Sequence, residues 1–273
     1  MQVVPARASH AATSRPPYSA RRACISAGLV WVFQGFLAAQ PLTLCTESAP
    51  PWHFAGADGQ PQGPVVEVVR QIQRRVGNRD PIRLVPWARG YAMALGQPNV
   101  ALFLMARTKE RDAHFHWVGP VVESVYSLYV KADSKRVLRT LEDAKALRAI
   151  GVYRDDARDQ MLTREGFLNL ERTTDNVMNA RKLLAGRIDA MVSSEIGVQD
   201  LLKVAGVDRG AVKEALPVAH VQLWIAFSKG TPRHTVVAWE RAFEGLRSDR
   251  TLERIMKKDI PTWTLPGPAR TTF

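Results

Sequence analysis

Cysteine is nearly missing from this chain: Cys24 and Cys45 are the two in 273 residues. If the N-terminal segment carrying Cys24 is removed, a single thiol is left, which closes no intrachain disulfide. The fold must then stand on its apolar core. Long apolar runs are also lacking. The best, Ala23 to Ala39, is interrupted by Gln34 and Gly35 and falls short of the roughly 20 residues that cross a bilayer. No internal repeat is present. No segment is extreme in composition, and with 23% charged and 46% hydrophobic residues global disorder is excluded. The length suits one large domain or two small ones, each with a core of its own.

Several chemistries are excluded by what is not there. Gly56-Ala-Asp-Gly59 is a turn and not a strand-to-helix phosphate cradle. Ser193-Ser194-Glu195 lacks the glycines of a nucleophile elbow. His114 and His116 can share one face of an extended segment, but no third metal ligand stands at a fitting spacing. No metal and no cofactor are therefore expected, and the motifs do not point to an enzyme. Acidic residues are scarce, with 26 against 38 basic ones for a formal charge of +12. Residues 1–39 carry Arg7, Arg15, Arg21 and Arg22 and no acid, so removing them leaves 34 against 26, or +8. Such a surplus favours acidic partners, an anionic surface or an anionic ligand. The basic residues are scattered along helices with no stripe of interleaved aromatics, so nucleic acid is not expected as a partner.

Arg21-Arg22, the apolar run to Ala39 and its small-residue end form a secretory signal pattern, with a cut near Ala39. Residues 1–40 are thus expected to be a leader. A start downstream of Met1 would shorten its long N-terminal region. An uncleaved anchor is the alternative. Cys24 has no lipobox context before it, so lipid anchoring is not expected.

Beyond residue 40, strands and helices alternate. Leu42 to Glu47 is a buried strand. Val65, Val69, Ile72 and Val76 step by three and four residues into a helix that Gly77-Asn78 stops. Ile82 to Val85 is a short strand and 89–95 a brief helix. The unbroken Val100 to Met105 suits a buried parallel strand. Thr108 caps a helix beginning Lys109-Glu110-Arg111. Further strands are expected at Ser124–Val130, Ala149–Tyr153, Ile188–Val192, Val212–Leu216 and Val221–Phe227. Further helices begin at Thr140, Asp155 or Asp156, Asp175, Ile196, Pro232 and Thr251. The pattern argues for α/β layers with mostly parallel sheets.

Four stretches carry a resemblance. They are Glu47-Ser-Ala-Pro-Pro-Trp52-His-Phe54 with Asp58-Gly59 and Gly63-Pro-Val-Val-Glu67, then Val85-Pro-Trp87-Ala-Arg89-Gly-Tyr91. Arg107-Thr-Lys-Glu-Arg111 follows, with Phe115 and Gly119-Pro120, and last Leu184-Ala-Gly186-Arg187-Ile188-Asp189-Ala190. In order and spacing over about 220 residues they resemble the type II periplasmic solute-binding proteins of the amino-acid family (family 3). The resemblance implies a two-lobed α/β fold with two crossover hinge strands. Lobe one would be residues 41–126 plus 223–265, lobe two 127–222, and 266–273 a C-terminal tail. The hinges would lie near Val125–Val130 and His220–Ile225. It also implies a monomer in the periplasm that closes on a small carboxylate-bearing ligand and serves an inner-membrane ABC permease.

The resemblance assigns Arg111, in its Thr-x-x-Arg setting, to the ligand carboxylate. A guanidinium suits that role by forming two parallel hydrogen bonds, and the helix start adds a favourable dipole. Glu47 is the polar residue ending the first strand, either in the cleft or in a salt bridge. Trp52 and Trp87 form cleft walls or pack in the core. Arg89 and Arg107 are candidate cleft residues, and Tyr153 ends a lobe-two strand where ligands sit in open sheets. Where family members carry an acid for the ligand's amine, this chain has Ser194. Either Glu195 takes the role through a shifted loop, or the ligand lacks a standard α-amine. Arg89, Arg107 and Arg111 together favour an anionic ligand. Other readings are a dehydratase-like enzyme on a cyclic carboxylic acid, with Glu47 or Glu195 as general acid beside Arg111, and a sensory or interaction protein on the same fold.

Overall fold

The computed structural model describes residues 41–268. The expected leader, residues 1–40, and the last five residues of the expected tail lie outside the described residues.

Four short strands and two helices come first: β1 (Thr43–Thr46), β2 (Phe54–Ala55), β3 (Pro61–Gln62), α1 (Pro64–Val76), β4 (Ile82–Leu84) and α2 (Trp87–Gly96). β5 (Val100–Ala106) and the single-turn α3 (Lys109–Asp112) lead into β6 (Phe115–Lys131). Next are α4 (Leu141–Lys145), β7 (Ile150–Tyr153), α5 (Ala157–Arg164), β8 (Leu170–Thr173), α6 (Asn176–Leu184), β9 (Ala190–Ser194) and α7 (Glu195–Val204). After a 3₁₀ turn come β10 (Val212–Ser228), α8 (Arg233–Ser248) and α9 (Thr251–Asp259).

The local signals behind these elements are physical. Gly77 takes the left-handed conformation (φ 70°) that ends α1, and its N–H bonds the Gln73 carbonyl; a side chain there would be strained. Thr140 and Asp143 form a reciprocal capping box on α4, which satisfies two otherwise orphaned N–H groups. Thr108, Asp156, Asp175 and Ser194 cap α3, α5, α6 and α7 with their side chains.

One sheet of eight strands runs in the order β4-β1-β5-β10-β6-β9-β7-β8. β4, β1 and β5 are parallel to one another, and so are β9, β7 and β8. Between the two sets lie β6 and β10, each of 17 residues and antiparallel to each other. Ordinary strands average about 5–6 residues, and these two are long enough to belong to both sets. Each set is covered on both faces. β1 and β5 bury Leu44 and Phe103 against α1, α8 and α9, and on the other face Cys45 and Leu102 beside Trp87. Ile150 and Val192 pack with Met161 and Leu162, while Met191 packs with Leu183, Val198 and Leu202. The two lobes of a type II binding protein are thus built on one continuous pair of long strands.

The structure lengthens three of the expected strands or joins them. Sequence patterning separates Val212–Leu216 from Val221–Phe227 at Pro217, yet β10 runs through. Its pairing with β6 shifts register between Pro217 and Ala219, and an irregularity is where a strand tolerates a residue without an N–H. β6 starts at Phe115 instead of Ser124 for the same reason: around Gly119-Pro120 the pairing with β10 shifts register, from Val122–Leu223 to Val118–Ile225, and the strand continues. β8 (Leu-Glu-Arg-Thr) has no apolar run to announce it, because it is the edge of the sheet. Near the C-terminus, the Gln222 amide donates to the Gly267 and Pro268 carbonyls, and the Gly267 N–H donates to Glu123. These contacts strap the chain end across β6 and β10.

Candidate functional site

The parallel strands of both sets end on one opening. Glu47 follows β1, Trp87 lies just past β4, Ala106 ends β5, Tyr153 ends β7, Asp175 lies just past β8 and Ser194 ends β9. All of them line a cleft of about 590 Å³. Strand C-termini and helix N-termini meet there, which is where an open α/β sheet leaves room for a ligand and N–H groups to greet it. Tyr126 of β6 and Leu223 of β10 complete the floor.

On the β5 side the centre is Arg111, only 1% exposed. Its N–H donates to Thr108 Oγ1 at 3.3 Å. Its guanidinium lies 5.2 Å from the Trp87 ring and 4.9 Å from the Tyr91 ring. Those rings are four residues apart on α2 and stack at 5.6 Å, the spacing that puts two side chains on one helix face. The guanidinium's hydrogen bonds are long, both 3.5 Å, to the Ala106 and Asp155 carbonyls, and Nε has no partner. No carboxylate pairs with it among the described residues. A buried cation so under-supplied is ready to accept a carboxylate.

On the β7 side the charges satisfy each other. Asp156 caps α5, accepting the Arg158 N–H at 2.8 Å and Arg158 Nε at 2.5 Å. Arg158 lies over the Tyr126 ring at 5.3 Å. Burial pushes the Asp156 carboxyl up, but Arg158, with help from Arg111, outweighs it and holds the group below its usual range. Glu47 faces this pair and takes a hydrogen bond from the Tyr153 hydroxyl. Burial, then the nearby Asp156 charge, push Glu47 up to about 7. Behind it, buried His53 uses Nδ1 to donate to the Glu47 carbonyl at 2.7 Å, and burial lowers this imidazole to about 4. Further contacts tie the sides together: Trp87 Nε1 donates to the Asp155 carbonyl at 3.0 Å, and Arg164 pairs with Glu110 at 2.5 Å.

Of the residues singled out in the sequence, Glu47, Trp52, Trp87, Arg111, Tyr153 and Ser194 line the cleft. Trp52 and Trp87 do both things considered for them, since each is also buried in a core cluster. Arg89, Arg107 and Glu195 do not line it. Arg89 is exposed and sits two residues from Trp87, about 200° around the helix. Arg107 alternates with cleft-lining Ala106, as strand geometry requires, and turns to Asp112 (2.6 Å) and the Trp117 and Trp224 rings. Glu195 is exposed on α7, away from the face that Gly197, Asp200, Leu201 and Val204 show the cleft.

The sequence reading passed over Tyr126, His53, Asp156 as a cleft group, Arg158, Ser193 and Asp200. The steps from Gly197 to Asp200, Leu201 and Val204 were the one available signal. With Arg89 and Arg107 outside and Arg158 spent on Asp156, the basic cleft expected from three arginines is not formed; Glu47, Asp156, Asp175 and Asp200 also line it.

Two lobes, a pair of long shared strands and a cleft at the strand ends define a type II periplasmic binding fold. The likeness to solved structures agrees. A histidine kinase sensor domain with similarity to periplasmic binding proteins superposes with a TM-score of 0.75 at 19% identity, covering 83% of this chain and 98% of that one. An ancestral arginine-binding protein bound to arginine gives 0.69 at 20% identity, covering 81% and 98%. The chain belongs to the bacterial extracellular solute-binding proteins, family 3, whose model matches residues 42–261. Among curated relatives, the L-cystine-binding protein TcyJ of Escherichia coli (strain K12) is 24% identical over 213 residues, 77% of this chain and 78% of that protein. Among the described residues no helix is long and apolar enough to cross a membrane.

Proposed function

We propose that this protein captures an amino acid or a related small carboxylate in the interlobe cleft, outside the inner membrane, and delivers it unchanged to an ABC-type permease. Arg111 carries the reading: a buried guanidinium, packed beside two stacked rings and short of hydrogen bonds, lines the cleft where the strand ends of both lobes meet. The printed names of the relatives, an L-cystine-binding and an arginine-binding protein, support the ligand class. Glu47, Trp52, Trp87, Tyr153 and Ser194 contribute from the walls. In this reading lobe one is residues 41–126 with 223–265, lobe two is 127–222, and the long strands bend between them as the lobes close over solute and expel water. The protein acts as a monomer in the periplasm, reached by a leader cut near Ala39.

A thermal-shift screen of amino acids, dicarboxylates, small peptides and polyamines tests it. A ligand at a hundred times its Kd adds about 2.7 kcal/mol of stability, so the midpoint rises clearly. Arg111→Ala should abolish the shift. A hit that survives that change would remove Arg111 from the site.

A further inference from the structure

Inside the cleft, protein groups neutralise most of the charge. Asp156 is matched by Arg158 at 2.5 Å, and Glu47, shifted to about 7, is only partly ionised at neutral pH. The charges left are of both signs and lie on opposite halves of the sheet: Arg111 beyond β5, and Asp175 at the start of α6 with Asp200 along α7.

α7 turns one stripe to the cleft. Gly197, Asp200, Leu201 and Val204 all line it, at the three-, four- and seven-residue steps of a single helix face. Asp200 is partly buried and makes no hydrogen bond or close ion pair among the described residues. Burial raises its carboxyl above the ordinary range, with Lys203 opposing. Beside this stripe, Ser193 is 1% exposed, lines the same cleft, and its Oγ has no hydrogen-bond partner. It packs under residue 197, where glycine leaves it room: a Cβ there would lie 3.1 Å from Ser193 Oγ and 2.8 Å from Ser194 Oγ. Asp175, capping α6 against α7, adds a second carboxylate to the wall. A desolvated carboxylate and an orphan hydroxyl each cost free energy until a donor reaches them. A ligand group that donates several hydrogen bonds and carries positive charge answers both.

We propose that this wall is a subsite for an ammonium or guanidinium group, held by Asp200 with Ser193 accepting one of its hydrogens. The solute then carries a carboxylate at its Arg111 end and a positive group at its Asp200 end. The inference rests on the solute-binding reading above and narrows it, opposite in sign to the anionic ligand that the arginine count suggested. Leu201 and Val204 flank Asp200 with apolar surface suited to the methylenes leading to that group.

Isothermal titration calorimetry of the purified protein with L-lysine, L-arginine, L-glutamine and L-glutamate decides it. Lysine or arginine binds tightest. Asp200→Asn weakens that binding about tenfold or more, the loss expected for one charge-assisted hydrogen bond, while glutamine changes less than about threefold on the same scale. Asp200→Glu keeps the preference for the cationic ligand, and Ser193→Ala weakens it less than Asp200→Asn does. Tighter binding of glutamate or glutamine, or an Asp200→Asn protein that still prefers lysine or arginine, overturns the subsite and leaves the solute-binding reading standing. No binding of any probe, with no thermal shift across the wider screen, overturns both.

Discussion

The two walls of the cleft solve the same electrostatic problem in different ways. Beyond β5, Arg111 is buried beside the stacked Trp87 and Tyr91 rings and left without a counter-ion. Beyond β7, Arg158 keeps 12% of its side chain exposed and spends its charge on Asp156, which also caps its own helix. A guanidinium packed against aromatic rings keeps hydrogen-bond donors for a partner still to come. A guanidinium already bridged to a carboxylate offers structure instead. The difference separates a group held in reserve for a ligand from a group that shapes the pocket.

Breaking the self-satisfied wall should have the largest effect. Removing one partner of a buried pair strands the other, at about 3–5 kcal/mol, so Arg158→Ala should lower Tm steeply even without ligand. The double change Asp156→Asn with Arg158→Met should recover much of the loss, which a chemical denaturation series would show. Breaking the reserved wall should leave stability closer to wild type and cost binding. Arg111→Ala should weaken the best ligand by about 2–5 kcal/mol, the range for truncating a buried charged partner. Arg111→Lys should not restore it, because an ammonium neither stacks as a plane nor forks. Calorimetric titration separates the two outcomes.

The proton equilibria sharpen the comparison further. Glu47 is raised from 4.5 to about 7, so its protonated form contributes stability that is fully present below pH about 4.5 and is lost as pH rises through about 7. His53 is lowered from 6.5 to about 4, and its contribution runs the other way, present above about 6.5 and lost as pH falls through about 4. In the wild type the two largely offset between these limits. Glu47→Gln should uncover the histidine, so that Tm climbs with pH from about 4 to 6.5. A wild-type profile and a Glu47→Gln profile of the same slope would remove Glu47 from that account. The smallest effects belong to residues outside the cleft: Glu195→Gln and Arg89→Ala should change affinity by less than about twofold, well under the 1.4 kcal/mol of a tenfold change.

Much of the scaffold was legible in the sequence because its signals are local. The α1 periodicity with Gly77 behind it, the Thr140–Asp143 capping box and the Thr108 cap each involve residues within a turn or two of one another. Six of the nine residues proposed for the site line the cleft, since motifs at strand ends mark the place where ligands gather. Arg89, Arg107 and Glu195 were near in sequence but on the far side of a helix or strand. A count of arginines carries no sign of which face each one takes.

By itself the chain determined an alternation of strands and helices, the caps that set their ends, and a family likeness carried by four short stretches. Those features depend on neighbours along the backbone, and neighbours along the backbone are what a sequence displays. Only the tertiary structure decided that β6 and β10 run unbroken past Pro120 and Pro217, since a ladder partner on another strand holds them in line. It alone decided which charges meet. Asp156 quiets Arg158, Trp87 and Tyr91 shelter Arg111, and Asp200 lines the same cleft as Ser193 without an ion pair among the described residues. A charge's partner and its distance from water are properties of packing, and they turned an arginine-rich stretch of sequence into a cleft where one unpaired guanidinium stands across from unpaired carboxylates.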